Sequence, residues 1–208
     1  MADKAAIDNV VFDMGGVLMD FDTHLFSHLF VSNDDDASLI EKALYANPSW
    51  PLLDAGVISE PTMERMARRR LPQRLWEPMH RGFAEWQEHQ PTLPAMNDQV
   101  RRLHDAGYGC YLLSNAGIRW WKMKERIPSF PYMDGFMVSA FERLMKPDPM
   151  IYQALCARYQ LNAKSCLFVD DNIDNCQGAE AAGMQALLYK GDATGFERSA
   201  KNVYGLSY

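Results

Sequence analysis

The chain has 208 residues, of which 48% are hydrophobic, and its formal net charge is −6. That length and apolar content suit one domain, or one domain carrying an insertion, around a sizeable core. The acidic balance excludes a general nucleic-acid binder, and no window approaches the unbroken apolar stretch that a bilayer requires.

The charged start Met1-Ala2-Asp3-Lys4 runs straight into a strand-like segment, unlike a signal peptide. Val10-Val11-Phe12 is the first short apolar run, and it ends at Asp13. From about Phe21 to Pro91 no strand pattern stands out. Helices are expected instead at Thr23–Val31, Ala37–Ala46, Glu60–Arg70 and Arg74–Glu88, with Asp34 to Asp36 as a cap before the second. Pro48, Pro51, Pro61, Pro72 and Pro91 punctuate this stretch.

Beyond Pro91 the pattern alternates. Helix Pro94–Ala106 has Met96, Val100 and Leu103 at helical spacing and Gly107 as its stop. Cys110-Tyr111-Leu112-Leu113 ends at Ser114, and Phe136-Met137-Val138 ends at Ser139. Helix Pro149–Tyr159 leads to Cys166-Leu167-Phe168-Val169, which ends at Asp170. Helix Asn175–Ala182 precedes the last run, Ala186-Leu187-Leu188-Tyr189. Apolar runs of this length suit strands buried on both faces, and their alternation with helices reads as repeated βαβ units. The expected fold class is α/β: a Rossmann-like parallel sheet with helices on both faces. A helical cap domain (21–91) would be inserted into a core formed by 1–20 and 92–208.

Cys110, Cys156, Cys166 and Cys176 show no CxxC spacing, and a disulfide framework does not fit a chain of this size. Cys110 and Cys166 read as buried thiols, and the cysteine usage points to a cytoplasmic protein.

In an open α/β sheet, ligands bind at the carboxyl ends of the strands. Those ends here carry Asp13 with Gly15-Gly16, then Ser114-Asn115, then Asp170-Asp171, while Lys146 precedes Pro147 on a nearby loop. Each signal alone is an ordinary turn or cap; their joint placement at successive strand ends carries the weight. Clustered carboxylates repel one another and repel a phosphate dianion, and a divalent cation resolves both conflicts. Oxygen-only ligands with room for water suit Mg2+. Backbone N–H groups of the glycine turn and of Asn115 would hold phosphate oxygens, Ser114 would donate to one, and Lys146 would offset developing charge. Asp13 would then attack phosphorus, splitting hydrolysis into transfer and aspartyl-phosphate breakdown.

These residues resemble the four motifs of the haloacid-dehalogenase-like (HAD) superfamily. Val11-Phe12-Asp13-Met14-Gly15-Gly16-Val17-Leu18 looks like the first and Leu112-Leu113-Ser114-Asn115 the second. Lys146-Pro147 looks like the third and Phe168-Val169-Asp170-Asp171-Asn172 the fourth. The resemblance runs from residue 9 to about residue 190. It implies Asp13 as nucleophile, with Mg2+ held by the Asp13 carboxylate, the Gly15 carbonyl and Asp171, and Asp170 acting directly or through water. It implies that Ser114, Asn115 and Lys146 bind the phosphoryl group along with the Gly15-Gly16 turn, and that the cap selects the substrate. Asp20 falls where many members carry an acidic residue near the cap hinge, and it reads equally well as a loop or capping residue.

One departure matters. Most family phosphatases have a second Asp two residues after the nucleophile, which protonates the leaving oxygen and later activates water. Here that position is Gly15. General acid–base catalysis is typically worth ~10²–10⁴-fold, so poor leaving groups should react slowly. An anomeric sugar phosphate would suffer less, and the Asp-x-Gly variant resembles bacterial glucose-1-phosphate phosphatases. The similarity to the phosphatase domain of soluble epoxide hydrolases is looser. The expected function is therefore a Mg2+-dependent phosphatase acting on a small phosphate ester, by resemblance a sugar phosphate. The protein is expected to be a monomer or homodimer with no nucleic-acid or membrane partner. Two rivals stand beside it. A 2-haloacid dehalogenase also lacks the second Asp, but loses the acidic pair that Asp170-Asp171 retains. A weakly active or non-catalytic binding protein would also explain Gly15.

Other features read as structural. His24 and His28, four apart, have no third metal ligand nearby. Trp120-Trp121, Phe83 and Trp86 read as packing aromatics, and Arg65 to Arg70 with Arg74 as a solvated helix face.

Overall fold

The computed structural model describes residues 5–208, so the charged start at 1–4 lies outside the described residues. The five apolar runs form β1 (Asn9–Phe12), β2 (Gly109–Ser114), β3 (Gly135–Val138), β4 (Cys166–Asp170) and β5 (Gln185–Leu188). All pair in parallel, in the order β3-β2-β1-β4-β5. Successive side chains of a strand point to opposite faces, and here both faces are covered. Val10 and Phe12 join the cluster on one face, and Val11 joins the cluster on the other.

Between β1 and the next core helix lie α1 (Thr23–His28), α2 (Asp34–Ile40), α3 (Trp50–Asp54), α4 (Glu60–Arg68) and α5 (Trp76–His89). A π-helical turn, Glu41–Tyr45, prolongs α2. Around the sheet lie α6 (Pro94–Asp105), α7 (Trp120–Met123), α8 (Ser139–Glu142), α9 (Pro149–Tyr159), α10 (Ile173–Ala181) and α11 (Ala193–Asn202). Met96, Val100 and Leu103 of α6 share one face with Phe196 and Ala200 of α11. Ile151, Tyr152 and Leu155 of α9 pack on the other with Ala179 of α10.

The chain leaves and regains the sheet through paired backbone. Asp20 N donates to Pro91 O and Leu93 N donates to Leu18 O, each at 2.9 Å. The helical segment is thus tied at its two ends to a single point above β1.

Some local details differ from the sequence reading. Asn33, not the Asp34 to Asp36 run, caps α2: its side chain accepts from Asp36 N, and the three aspartates fill the first turn, where the helix dipole favours them. The short helix α3 starts beside Pro51, which acts there as a first-turn residue rather than a break. The helix α11 follows its Asp192 cap without having been anticipated. Cys110 and Cys166 are buried free thiols, as expected. In the basic run Arg68 pairs with Glu64 one turn earlier on α4, and Arg74, beyond the helix, reaches Asp36 of α2. His28 pairs with Asp34. No helix is long and apolar enough to cross a membrane among the described residues.

Candidate active site

The strand order reverses beside β1, because the chain proceeds from β1 to β2 and β3 on one side and returns to β4 on the other. A crevice opens at such a reversal, outside the carboxyl ends of the strands. Asp13 directly follows β1, and its N–H donates to Val169 O of β4 at 2.9 Å. Asp170 ends β4, so the two carboxylates flank the crevice. One oxygen each from Asp13, Asp170 and Asp171 lies within 4.8 Å of the others.

Lys146 enters from the loop before α9. Its Nζ lies 2.7 Å from Asp13 Oδ1 and 2.7 Å from Asp170 Oδ2. The Lys146 side chain is buried, as is Asp170, while Asp13 is 8% exposed. Burial pulls the ammonium toward neutrality, but Asp13 and Asp170 outweigh it and hold the Lys146 pKa above its ordinary value. Burial pushes the Asp13 carboxyl up to about 6; Lys146 opposes this and Asp170 reinforces it. Burial, then Asp170, raises Asp171 as well.

Asp170 is held by its own element. Asn172 N donates to Oδ1 at 2.8 Å, and Asn175 Nδ2 reaches both oxygens at 3.0 and 3.1 Å. With Lys146 added, both Asp170 side-chain oxygens have protein donors. Asp171 is exposed and points at the turn after β1. Gly16 has φ +70°, and a Cβ there would sit 2.2 Å from Asp171 Oδ2. The turn therefore needs glycine at 16, both for its backbone angle and for the close approach of Asp171. At Gly15 the opposite holds, since no atom lies within 4 Å of a Cβ built there.

Three carboxylates around one ammonium leave net negative charge in the crevice. An oxygen-only donor set of that charge fits a hard divalent cation. Asp13, Asp170 and Asp171 are the acidic group that could hold one among the described residues.

Ser114 and Asn115 line the same crevice at the end of β2. The Asn115 side chain is taken up by the lysine loop. Its Nδ2 donates to Lys146 O and its Oδ1 accepts from Lys146 N, each at 2.9 Å. These bonds brace the lysine loop against the end of β2.

A cavity of about 240 Å³ opens from Asp13 toward the helical segment. Its far wall carries Phe21, Trp50, Leu53, Phe83 and Trp86, with Asp54, Glu60, Gln90 and Arg119 among them. Phe83 and Trp86 are thus both core and cavity wall. Arg119 spends its guanidinium within the protein. It grips both oxygens of Glu60, and it donates to Phe83 O, Ala84 O and Gln87 Oε1. It thereby ties the loop after β2 to α4 and α5. Asp54 accepts from the Trp50 side chain and the Gly117 backbone, and burial pushes its carboxyl up to about 7. The sequence reading passed over Asp54, Gln90 and Arg119. No local pattern marks them, because they meet only when the helical segment folds back over β2.

Trp120 is buried, whereas Trp121 is 55% exposed and stacks on Phe141. The His24 and His28 rings lie 4.1 Å apart, tilted at 51°, and neither belongs to the acidic group found among the described residues.

A doubly wound parallel sheet with an acidic crevice and a helical insertion after β1 defines a hydrolase of the HAD type. The family model of haloacid dehalogenase-like hydrolases matches residues 7–183, and the chain belongs to that family. A sesquiterpene phosphatase of Aspergillus oryzae is 29% identical over 93 residues, 44% of this chain and 47% of that protein. The chain matches about half the length or less of the curated relatives it resembles. A HAD family enzyme from Bacteroides thetaiotaomicron, solved as an aspartate-to-alanine mutant with magnesium and inorganic phosphate, superposes with TM-score 0.66 at 20% identity. That alignment covers 89% of this chain and 95% of the other. The L-2-haloacid dehalogenase from Xanthobacter autotrophicus, with chloropropionic acid covalently bound, gives TM-score 0.65 at 16% identity over 95% of this chain and 84% of that one. The curated relatives bear phosphatase names, and the chain itself is a haloacid dehalogenase-like hydrolase by family.

Proposed function

We propose that the protein is a Mg2+-dependent phosphatase that hydrolyses a small phosphorylated metabolite through an aspartyl-phosphate on Asp13. The observation that carries this reading is the grouping of Asp13, Asp170 and Asp171 oxygens within 4.8 Å, with the Lys146 ammonium bridging the first two. Magnesium, when bound, supplies positive charge that offsets the carboxylates and the incoming phosphate. Asp13 presents its carboxylate to phosphorus, and Lys146 holds that carboxylate in place while neutralising the phosphoryl oxygens. Ser114 and the backbone N–H groups of the Gly15-Gly16 turn and of Asn115 bind those oxygens. The helical stretch 21–91 acts as the cap and 1–20 with 92–208 as the core, a division supported by the backbone pairing at Asp20–Pro91 and Leu18–Leu93.

The proton for the leaving oxygen has no donor at position 15. Asp54 is the cavity-wall carboxyl without a basic partner among the described residues. Its raised pKa keeps much of it protonated near neutrality, which suits a proton donor. The sugar-phosphate leaving group is supported only by the Asp-x-Gly resemblance.

The test is hydrolysis of p-nitrophenyl phosphate with and without EDTA, in wild type and in Asp13→Asn. Activity that needs Mg2+ and vanishes in the variant is expected; wild-type rates in Asp13→Asn would remove the nucleophile. The dehalogenase reading is disfavoured by the retained acidic pair at 170 and 171. Release of chloride from 2-chloropropionate in the presence of EDTA would restore it.

A further inference from the structure

The far end of the cavity has a composition that its residue names disguise. Several polar side chains stand on the wall, yet little hydrogen-bonding capacity faces a ligand there. Glu60 and Arg119 satisfy each other, and Arg119 spends its remaining donors on α5. The Gln90 amide atoms are both shut off from solvent and have no hydrogen-bond partner among the described residues. The indole nitrogen of Trp86 is likewise covered. Asp54 receives the Trp50 side chain and the Gly117 N–H, and its own proton is the one proposed above for the leaving oxygen.

What remains is a set of rings locked against one another. Phe21 lies 5.7 Å from Trp50 and 5.5 Å from Trp86, the latter pair edge-on at 86°. Trp50 meets Phe83 at 6.1 Å and Trp86 at 5.9 Å, both steeply tilted. Mutually tilted rings of this kind hold their positions and keep a preformed apolar surface. Leu53 and Met123 complete it. The volume, about 240 Å³, is that of roughly eight waters at ~30 Å³ each in the liquid, which suits a compact body.

We infer that the cavity selects phosphate monoesters whose leaving group is a compact apolar body, such as an aryl, arylalkyl or short branched hydrocarbon, rather than a polyol. A sugar could lay its C–H face on Trp50 or Phe83. Its hydroxyls, however, would be taken from water with few partners on this wall, and each one left unpaired weakens binding. An apolar body loses nothing of that kind and gains the burial of its surface against the rings. The inference rests on the phosphatase reading for the position of the phosphoryl group, and on the wall alone for the rest of the substrate.

Binding and turnover therefore need separate readouts. Wild-type protein with Mg2+ is titrated in a calorimeter with benzylphosphonate and with the methylenephosphonate analogue of glucose 6-phosphate. The first should bind at least tenfold more tightly. In parallel, kcat/KM for benzyl phosphate should exceed that for glucose 6-phosphate by tenfold or more; both are phosphates of primary alcohols. Phe21→Asn, which places an amide on the wall, should narrow both ratios. Equal or tighter binding of the sugar analogue overturns the inference even if p-nitrophenyl phosphate is hydrolysed. Preference for benzylphosphonate without any hydrolysis supports the inference while sinking the phosphatase reading.

Discussion

Gly16 and Asp171 touch so closely that a single methyl group on residue 16 would lie 2.2 Å from Asp171 Oδ2. The turn after β1 and the carboxylate after β4 are thus shaped as one surface. Gly16→Ala should push Asp171 away from Asp13 and strain a backbone at φ +70°. The strain costs about 1 kcal/mol in stability. The larger effect is expected on the metal: the Mg2+ concentration for half-maximal activity should rise tenfold or more. Titration of activity with Mg2+ measures it, and an unchanged midpoint would show that Asp171 does not hold the ion.

Gly15 is the counterpart. Open space surrounds the position where its Cβ would stand. Gly15→Asp should therefore be accommodated and should supply the acid that the turn lacks. Activity on alkyl phosphates should rise, by up to ~10²-fold, while aryl phosphates, whose leaving groups need little protonation, change much less. Parallel kcat/KM measurements decide it; equal gains on both substrates would argue that position 15 has no part in proton transfer.

Asp54 gives the protein a pH-dependent stability. Its pKa is raised by burial from 3.8 to about 7, so the folded state favours the protonated form. The contribution is fully present below the unfolded pKa and disappears as pH rises through about 7. Asp54 keeps some contact with the cavity, and water there screens part of the effect, leaving on the order of 2 kcal/mol. Urea unfolding at pH 4.5 and pH 8 should show Asp54→Asn losing that share of the pH dependence. A variant with the wild-type pH profile would contradict the assignment.

Arg119 joins the two halves of the cavity. Removing it leaves Glu60 without its cation and takes a donor from the carbonyls of Phe83 and Ala84. Arg119→Met should cost about 1–3 kcal/mol in stability by urea unfolding. Because the wall it braces also faces the substrate, KM should rise more than kcat falls. A variant with wild-type stability and KM would show that the helical segment is held by other contacts.

The strand-end residues were legible because a parallel sheet leaves few alternatives. Five apolar runs that end in Asp13, Ser114, Ser139, Asp170 and Tyr189 place their last residues along one edge, whatever the detail of the helices. Continuous runs such as Cys166 to Val169 also declared strands buried on both faces. The motif spacing then assigned a role to Lys146, although only its two 2.7 Å contacts reveal that it bridges Asp13 and Asp170.

The sequence by itself determined the sheet, the acidic crevice and the place of the helical insertion, since each follows from short-range patterns and chain order. Only the tertiary structure decided that Asn115 serves the lysine loop, that Arg119 is consumed by Glu60 and α5, and that four rings from distant segments face Asp13 across one cavity. The reason is physical. A side chain's chemistry is set by which partners reach it, and Asp54 and Arg119 acquire Gly117 and Glu60 across tens of positions, through packing that no local period records.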